Sequence, residues 1–387
     1  MKRNWTRGEK LLWATPLLFG VIAFGISQGP NIVRDALGLP RVLVTKDKHR
    51  VSSMVLSQDG SVLAAGGESD DNVRDPESGT VYFWDARTLA PLKPLKGKLW
   101  KRPTGGIWGD LADGLSLSPD GKLVGVSDRG KGGYAVYEVQ SQRELWRTPT
   151  EGLTAEFSPD GRLILLNGGQ LYDAKTGKAV AGGTSMGDGG FVPGRFAPDG
   201  KTVALIGPEK KIAPTITKFV TPRKPNGRSI ELHWVSDGKR LRVLEDSQET
   251  NSIAFSPDGS KIVSLATGIM NNGEINGSIV RCHSSTGQLL WQQSYRKWNG
   301  KRDQYSLFSD AKFSPDGTRI AVGVTSAFTQ KAPILLLDAA DGREIKTMAP
   351  VKGHNDNLMT PPALAFSANG QRIFKRGNRG IVVWDLE

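Results

Sequence analysis

Phe255-Ser256-Pro257-Asp258-Gly259 decides the fold, because six further stretches repeat it closely. They are Leu56-Ser57-Gln58-Asp59-Gly60, Leu117-Ser118-Pro119-Asp120-Gly121, Phe157-Ser158-Pro159-Asp160-Gly161, Phe196-Ala197-Pro198-Asp199-Gly200, Phe313-Ser314-Pro315-Asp316-Gly317 and Phe366-Ser367-Ala368-Asn369-Gly370. In a Pro-Asp-Gly turn, proline presets the first central dihedral, aspartate hydrogen-bonds the local backbone, and glycine takes the left-handed position that closes a hairpin. Each copy follows an apolar residue and precedes a short apolar run such as Lys122-Leu123-Val124-Gly125-Val126 or Arg319-Ile320-Ala321-Val322. Seven β-hairpin tips at repeating intervals indicate a repeat architecture.

A second pattern follows each hairpin: strand, short turn, strand. It reads Val81-Tyr82-Phe83-Trp84-Asp85 in the first copy, Gln170-Leu171-Tyr172-Asp173-Ala174-Lys175-Thr176-Gly177-Lys178 in the third and Ile334-Leu335-Leu336-Leu337-Asp338 in the sixth. The last copy is Ile381-Val382-Val383-Trp384-Asp385. Four strands per repeat make one twisted sheet that cannot bury both faces alone. Packing such sheets radially gives a β-propeller, here of seven four-stranded antiparallel blades, an all-β fold class.

These residues resemble the WD40 repeat family. Trp84-Asp85 and Trp384-Asp385 are literal WD dipeptides, and Gly353-His354 matches the family's GH dipeptide. The middle blades depart from the pattern, with Tyr137-Glu138, Tyr172-Asp173, His233-Trp234, Cys282-His283 and Leu337-Asp338 where WD stands. Of the family's buried Asp-His-Ser/Thr-Trp network, only His354, Ser367 and Trp384 suggest a part. The resemblance spans residues 41–387 and implies a non-catalytic scaffold for protein–protein interaction. It also implies ring closure from both chain ends: Arg41-Val42-Leu43-Val44-Thr45 is placed to supply the outer strand that the blade ending at Trp384-Asp385 lacks. That pairing removes an open sheet edge.

Ahead of the propeller, residues 1–28 read as an N-terminal membrane anchor or export signal. Lys2, Arg3, Arg7 and Lys10 precede the apolar run Leu11–Ile26, and no charge appears until Arg34. As a helix the 16-residue run measures about 24 Å, and the uncharged stretch Leu11–Val33 extends it toward a ~30 Å hydrocarbon core. An uncleaved anchor is favoured over a cleaved signal with secretion. The positive-inside rule sends the propeller to the extracytoplasmic side, periplasmic or cell-surface. Residues 29–40 form a linker.

The hairpin turns lie 61, 40, 39, 59, 58 and 53 residues apart, counted between their Asp or Asn residues, whereas a minimal blade needs ~40–45. The extra length falls after the second strand (Gly67–Gly79, Gly207–Arg228, Thr267–Gly277) or between blades (Lys96–Asp113, Gln293–Asp310, Val351–Pro362). Both loop classes leave a propeller on one face, so that face is enlarged as a binding surface. Three of these loops, Lys96–Asp113, Gly207–Arg228 and Gln293–Asp310, hold 14 Lys/Arg against 5 Asp/Glu in a chain of net charge +12. Trp100, Trp108, Phe219, Tyr295, Trp298 and Tyr305 are interleaved. The candidate partner-binding residues are Trp100, Lys101, Lys210, Lys211, Arg223, Lys224, Arg296, Lys297, Trp298, Lys301 and Arg302. A basic, aromatic face suits an acidic protein partner, with anionic lipid or polymer as further possibilities. The expected compartment disfavours nucleic acid.

No enzymatic chemistry is legible. His49, His233, His283 and His354 show no metal-ligand spacing, and neither a nucleophile elbow nor a phosphate-binding Gly-rich loop is present. The acidic loop from Glu68 to Glu77 matches no calcium-loop pattern. Cys282, the single cysteine, excludes an intramolecular disulfide and reads as a buried structural thiol at a position where Trp or Tyr usually packs. One rival carries a cofactor. Thr286-Gly287-Gln288-Leu289-Leu290-Trp291 and Arg143-Glu144-Leu145-Trp146 are similar to the docking strands of quinoprotein propellers, some of which use pyrroloquinoline quinone and calcium for dehydrogenase chemistry. The Pro-Asp-Gly hairpins fit the WD40 pattern better, so the reading is a scaffold without catalytic, cofactor or metal residues.

Overall fold

The computed structural model describes residues 40–45, 49–69, 79–96, 114–127, 133–149, 154–166, 169–180, 194–206, 229–245, 247, 250–267, 270–271, 274–275, 278–295, 306–326, 333–351, 363–377 and 380–386. They form seven antiparallel sheets arranged as the blades of a propeller. Blade 5 shows the pattern in full: Thr250–Phe255, Lys261–Thr267, Ser278–Ser284 and Leu289–Tyr295 pair in that order from the axis outward. Blades 2, 4 and 6 repeat it. In blades 1 and 3 the fourth position is held by isolated bridges, Val81 with Leu95, Trp84 with Pro91, and Tyr172 with Ala179. Pro91 and Pro94 lack N–H donors, so they blunt the rim of blade 1 against further strand pairing.

The ring closes as the sequence implies. Arg41–Val44 pairs antiparallel with Gly380–Asp385, Arg41 opposite Val383 and Val44 opposite Gly380, completing blade 7. Its Leu43 enters an apolar cluster with Val51, Met54, Leu63 and Trp84 of blade 1 and Phe374 and Ile381 of blade 7. Six more clusters fill the other six blade interfaces, so the core is a ring of seven between-sheet layers. The middle strands consequently bury both faces and can read as unbroken apolar runs; Ile334, Leu335, Leu336 and Leu337, in the third strand of blade 6, are all buried. Rim strands cover one face only, and Leu289–Tyr295 alternates half-buried and exposed. Among the described residues, the layer between blades 3 and 4 has the fewest buried members: Leu165, Leu171, Phe196, Val203 and Leu205.

The hairpin turns do more than reverse the chain. In six of seven the motif serine is buried, donates to the Asp or Asn carboxyl or amide oxygen two residues on, and accepts the N–H five residues on. Ser118, for example, lies 2.7 Å from Asp120 Oδ1 and 2.9 Å from the Leu123 nitrogen. Blade 4 carries Ala197 instead and lacks this pair of bonds. The turns also touch around the axis. Gly60 has φ +66°, and a Cβ there would lie 2.5 Å from Ala368 Cβ of blade 7, which closes the ring of turns. The prolines of five turns (Pro119, Pro159, Pro198, Pro257 and Pro315) back onto the turn glycine of the next blade.

Strand register defines the WD position in every blade. Trp84, Tyr137, Tyr172, His233, His283, Leu337 and Trp384 each face the residue four after the turn Asp or Asn: Leu63, Val124, Ile164, Val203, Ile262, Ile320 and Ile373. This corrects blade 5 by one residue: His283 stands at the Trp position and Ser284 at the Asp position, while Cys282 faces Val263. The following Asp caps the next turn. Asp85 Oδ1 accepts the Arg87 and Thr88 N–H groups at 3.0 and 2.8 Å, and Asp173 does the same for Lys175 and Thr176. Ser367, which the family pattern places in a buried network, is engaged within its own turn by Asn369 and Arg372.

Candidate functional site

Strand direction separates two faces. The Asp-Gly hairpins and the turns between third and fourth strands leave one end of each blade, hereafter the turn face. The long second-to-third and inter-blade connections leave the other. Turn-to-turn bonds tie the first set together, such as Ala339 N–H to Thr318 O at 2.9 Å and Ser285 N–H to Ser260 O at 2.8 Å. Of the enlarged face, the structure describes a small hairpin in blade 5, Met270–Asn271 paired with Glu274–Ile275. All eleven candidate residues (Trp100, Lys101, Lys210, Lys211, Arg223, Lys224, Arg296, Lys297, Trp298, Lys301 and Arg302) lie outside the described residues, as do Trp108, Phe219, Tyr305, His354, residues 70–77 of the acidic loop and the apolar segment 11–33.

Both ends of the loop Gln293–Asp310 belong to strands instead, because Leu289–Tyr295 and Ser306–Phe313 extend into it. Tyr295 meets Phe308 edge-on at 4.9 Å, and burial beside the Glu344 charge pushes its hydroxyl pKa up to about 12. It therefore cements blades 5 and 6. Asp310 lies on the innermost strand of blade 6, where Oδ2 accepts the Leu364 N–H at 2.9 Å and Oδ1 pairs with Lys312 Nζ at 3.2 Å.

Asp310 belongs to a charged set around the axis that the sequence reading missed. The residue before the motif's Phe or Leu reads Val55, Ser116, Glu156, Arg195, Ala254, Lys312 and Ala365 from blade 1 to blade 7. Glu156 Oε2 accepts the Phe196 N–H of the next blade at 2.8 Å. Its carboxyl pKa is raised by burial, against the opposing influence of Arg195, the Phe196 N–H and Lys312. Glu156 is half-buried as a residue, but protein surrounds its carboxyl and desolvation dominates. Lys312 acts on it from three blades away, so these side chains share the axis. Both carboxylates, Glu156 and Asp310, stitch an innermost strand to its neighbour.

His233, His283 and Cys282, also singled out in the sequence, are structural. His233 bonds Gly238 O and Glu231 Oε2, each at 3.1 Å, and His283 Nε2 bonds Glu245 O of blade 4 at 2.6 Å. Burial pushes the Cys282 thiol up to about 11, which removes its nucleophilicity at neutral pH. Trp146 and Trp291 are inter-blade clamps. Their indole N–H groups donate to Ala174 O at 2.8 Å and Ala339 O at 3.3 Å, and their rings sit over Gly177 and Gly342 of the following blade. Among the described residues no His/Cys/Asp/Glu group has metal-binding geometry, and no helix is long and apolar enough to cross a membrane.

The fold is a seven-bladed β-propeller similar to those of WD40 structures. The β-propeller domain of Swd1 from Myceliophteria thermophila superposes with a TM-score of 0.59 at 11% identity, covering 89% of this chain and 99% of that one. The C-terminal WD40 domain of Sif2 gives 0.55 at 15% identity, covering 90% and 84%. Hydrazine synthase from Kuenenia stuttgartiensis is similar in the same way, at 0.59 and 17% identity over 88% and 97%. No family model and no curated protein matches the sequence.

Proposed function

We propose that the chain is a non-catalytic, membrane-tethered scaffold that binds an acidic protein through the enlarged basic face. The observation that carries this reading is the asymmetry of the loops. The turn face is built from short turns cross-tied around the axis, whereas the three longest basic segments all leave strand ends at the opposite face. The mixed-charge axis and interlocked turns supply a rigid frame, so little conformational freedom is lost when a partner docks, and surplus Lys/Arg steer an acidic surface. The likeness to Swd1 and Sif2 propellers agrees with a scaffold role. The Leu-Trp strands that resemble quinoproteins are accounted for as clamps at the rim, so they carry no argument for a quinone cofactor.

Membrane tethering rests on the basic start and the uncharged stretch Leu11–Val33, which also send the propeller to the extracytoplasmic side. The test is a crosslinked pull-down from membranes with wild type and a Lys210/Lys211/Arg223/Lys224→Glu variant of unchanged circular dichroism. Proteins captured by wild type at low salt and lost by the variant support the docking face. Equal capture by both forms refutes it.

A further inference from the structure

Blade 5 ends in an unprotected sheet edge. Leu289–Tyr295 is the outermost strand of its sheet, and among the described residues no strand pairs beyond it. Past the bulge opposite Cys282 and His283, five residues run in unbroken register: Trp291 faces Cys282, Gln292 faces Arg281, Gln293 faces Val280, Ser294 faces Ile279 and Tyr295 faces Ser278. An antiparallel ladder directs the N–H and C=O of every second residue away from the partner strand, so this stretch presents donors and acceptors outward.

The other rims carry the devices that keep sheet edges apart. Blade 1 has Pro91 and Pro94 there, and blade 3 has the one bridge from Tyr172 to Ala179, beside Lys178. In blades 2, 4 and 6 the regular stretch beyond the bulge is shorter and charged: residues 146–148 include Arg147, residues 242–243 include Arg242, and residues 346–348 include Lys346. Blade 7 closes with Arg41–Val44, whose Arg41 pairs with Asp385 at 3.7 Å. Among the described rim strands, only that of blade 5 has neither charge nor proline.

We propose that two copies of the chain associate through this edge, residues 291–295 pairing antiparallel with themselves about a twofold axis at Gln293. That register sets Trp291 opposite Tyr295 of the second copy, and Gln292 opposite its Ser294. Trp291 and Tyr295 both lie on the side toward blade 6, where one bonds Ala339 O and the other meets Phe308, so the cross-strand pair on that side is aromatic. Gln292 and Ser294 are exposed, an amide and a hydroxyl suited to hydrogen-bond each other. No like charges meet, and a contact of this kind is isologous and closes at two copies. The wider charge distribution agrees. The strand runs from the turn face to the enlarged face, so antiparallel pairing points the two basic faces in opposite directions. Each comes level with the other copy's turn face, where blades 5 and 6 set Asp258, Asp316 and the Asp338-Ala339-Ala340-Asp341 turn against Lys261, Arg319 and Arg343. The basic surplus of a +12 chain is thereby kept apart from its copy in the second chain. This association does not depend on what the basic face binds.

The test is the mass of the full-length chain in detergent, from light scattering corrected for bound detergent over a dilution series. Wild type is expected to be a dimer. Gln292→Lys/Ser294→Lys sets ammonium groups opposite one another and should weaken association about tenfold or more. Gln292→Glu/Ser294→Glu should do the same, and an equimolar mixture of the two variants should regain the wild-type dimer. Both positions are exposed, and recovery in the mixture separates edge pairing from misfolding and from two chains sharing a micelle. A wild type that is monomeric at every concentration, a dimer that neither variant weakens, or a mixture that stays monomeric overturns the proposal. Slow hydrogen exchange at Gln292 and Ser294 in a monomeric wild type would assign the edge to another segment of the same chain, and overturns it equally.

Discussion

Replacing Ser314 by alanine removes the hydroxyl that organises the blade 6 turn. That hydroxyl is fully buried, donates to Asp316 and accepts the Arg319 N–H at 2.9 Å. Each lost bond is worth ~1 kcal/mol net, and the orphaned N–H adds a desolvation cost, so Ser314→Ala should destabilise by about 2–3 kcal/mol. Blade 4 offers the reciprocal experiment, since Ala197 occupies the same place in a turn where Lys201 N–H already bonds Asp199 at 2.9 Å. Ala197→Ser supplies the missing hydroxyl and should stabilise by about 1 kcal/mol. Asp316 gives an independent handle. The Ser314 hydroxyl, then the Thr318 N–H and hydroxyl, hold its carboxyl down at about 2 from an ordinary 3.8. A depressed carboxylate contributes stability that is present above its unfolded-state pKa and lost as pH falls through the folded-state value. The gap between wild type and Ser314→Ala should therefore be full at neutral pH and narrow between about 4 and 2. Urea midpoints of the full-length chain, measured across that range, are the assay. A Ser314→Ala loss under about 0.5 kcal/mol, the scale of an ordinary surface substitution, together with no gain from Ala197→Ser would refute the turn argument.

Other consequences are equally direct. Trp291→Ala removes a half-buried indole from Gly342 and its bond to Ala339, so the urea midpoint should fall by an amount equivalent to about 2–3 kcal/mol; an unchanged midpoint would count against the clamp. Glu156→Gln keeps an acceptor for the Phe196 N–H. Because burial raises the Glu156 pKa, its contribution is present below the unfolded-state value and lost as pH rises through the folded one. The variant should thus match or exceed wild-type stability at neutral pH and lose that advantage near pH ~4, which paired thermal melts would show. Leu43→Ala opens the blade 7/blade 1 layer at the closing strand, at a cost of about 2–4 kcal/mol. Hydrogen exchange should quicken first in Gly380–Asp385; uniform quickening would argue against local opening.

The repeat was legible because turn chemistry is local. Pro-Asp-Gly announces itself within five residues, and the apolar runs on either side supply the strands. Register was less so. In blade 5 the Cys282-His283 pair was read one residue out, because the turn after Ser284 is a residue shorter than after Asp173 or Asp338, and only pairing with Ile262 sets the count. The motif serine was passed over because its bonds depend on burial, which a single turn does not reveal. The axial charges Glu156, Arg195 and Lys312 were missed for a related reason: each is ordinary alone, and they meet only once seven innermost strands surround one axis. A column through the seven repeats at the residue before Phe or Leu would have exposed them. Tyr295 and Asp310 show the converse, since polar or aromatic residues near a loop end can belong to the strand that runs into it.

The central claim is that a partner docks on the enlarged face and leaves the turn face alone. Photo-crosslinking in membranes tests it most directly, with one photoreactive residue at Lys211 or at Ala340 of the full-length chain. The account predicts one adduct of defined mass at position 211, weakened by salt and abolished by Lys210/Arg223/Lys224→Glu, and none at position 340. The same adduct at both positions, or at 340 alone, would contradict it.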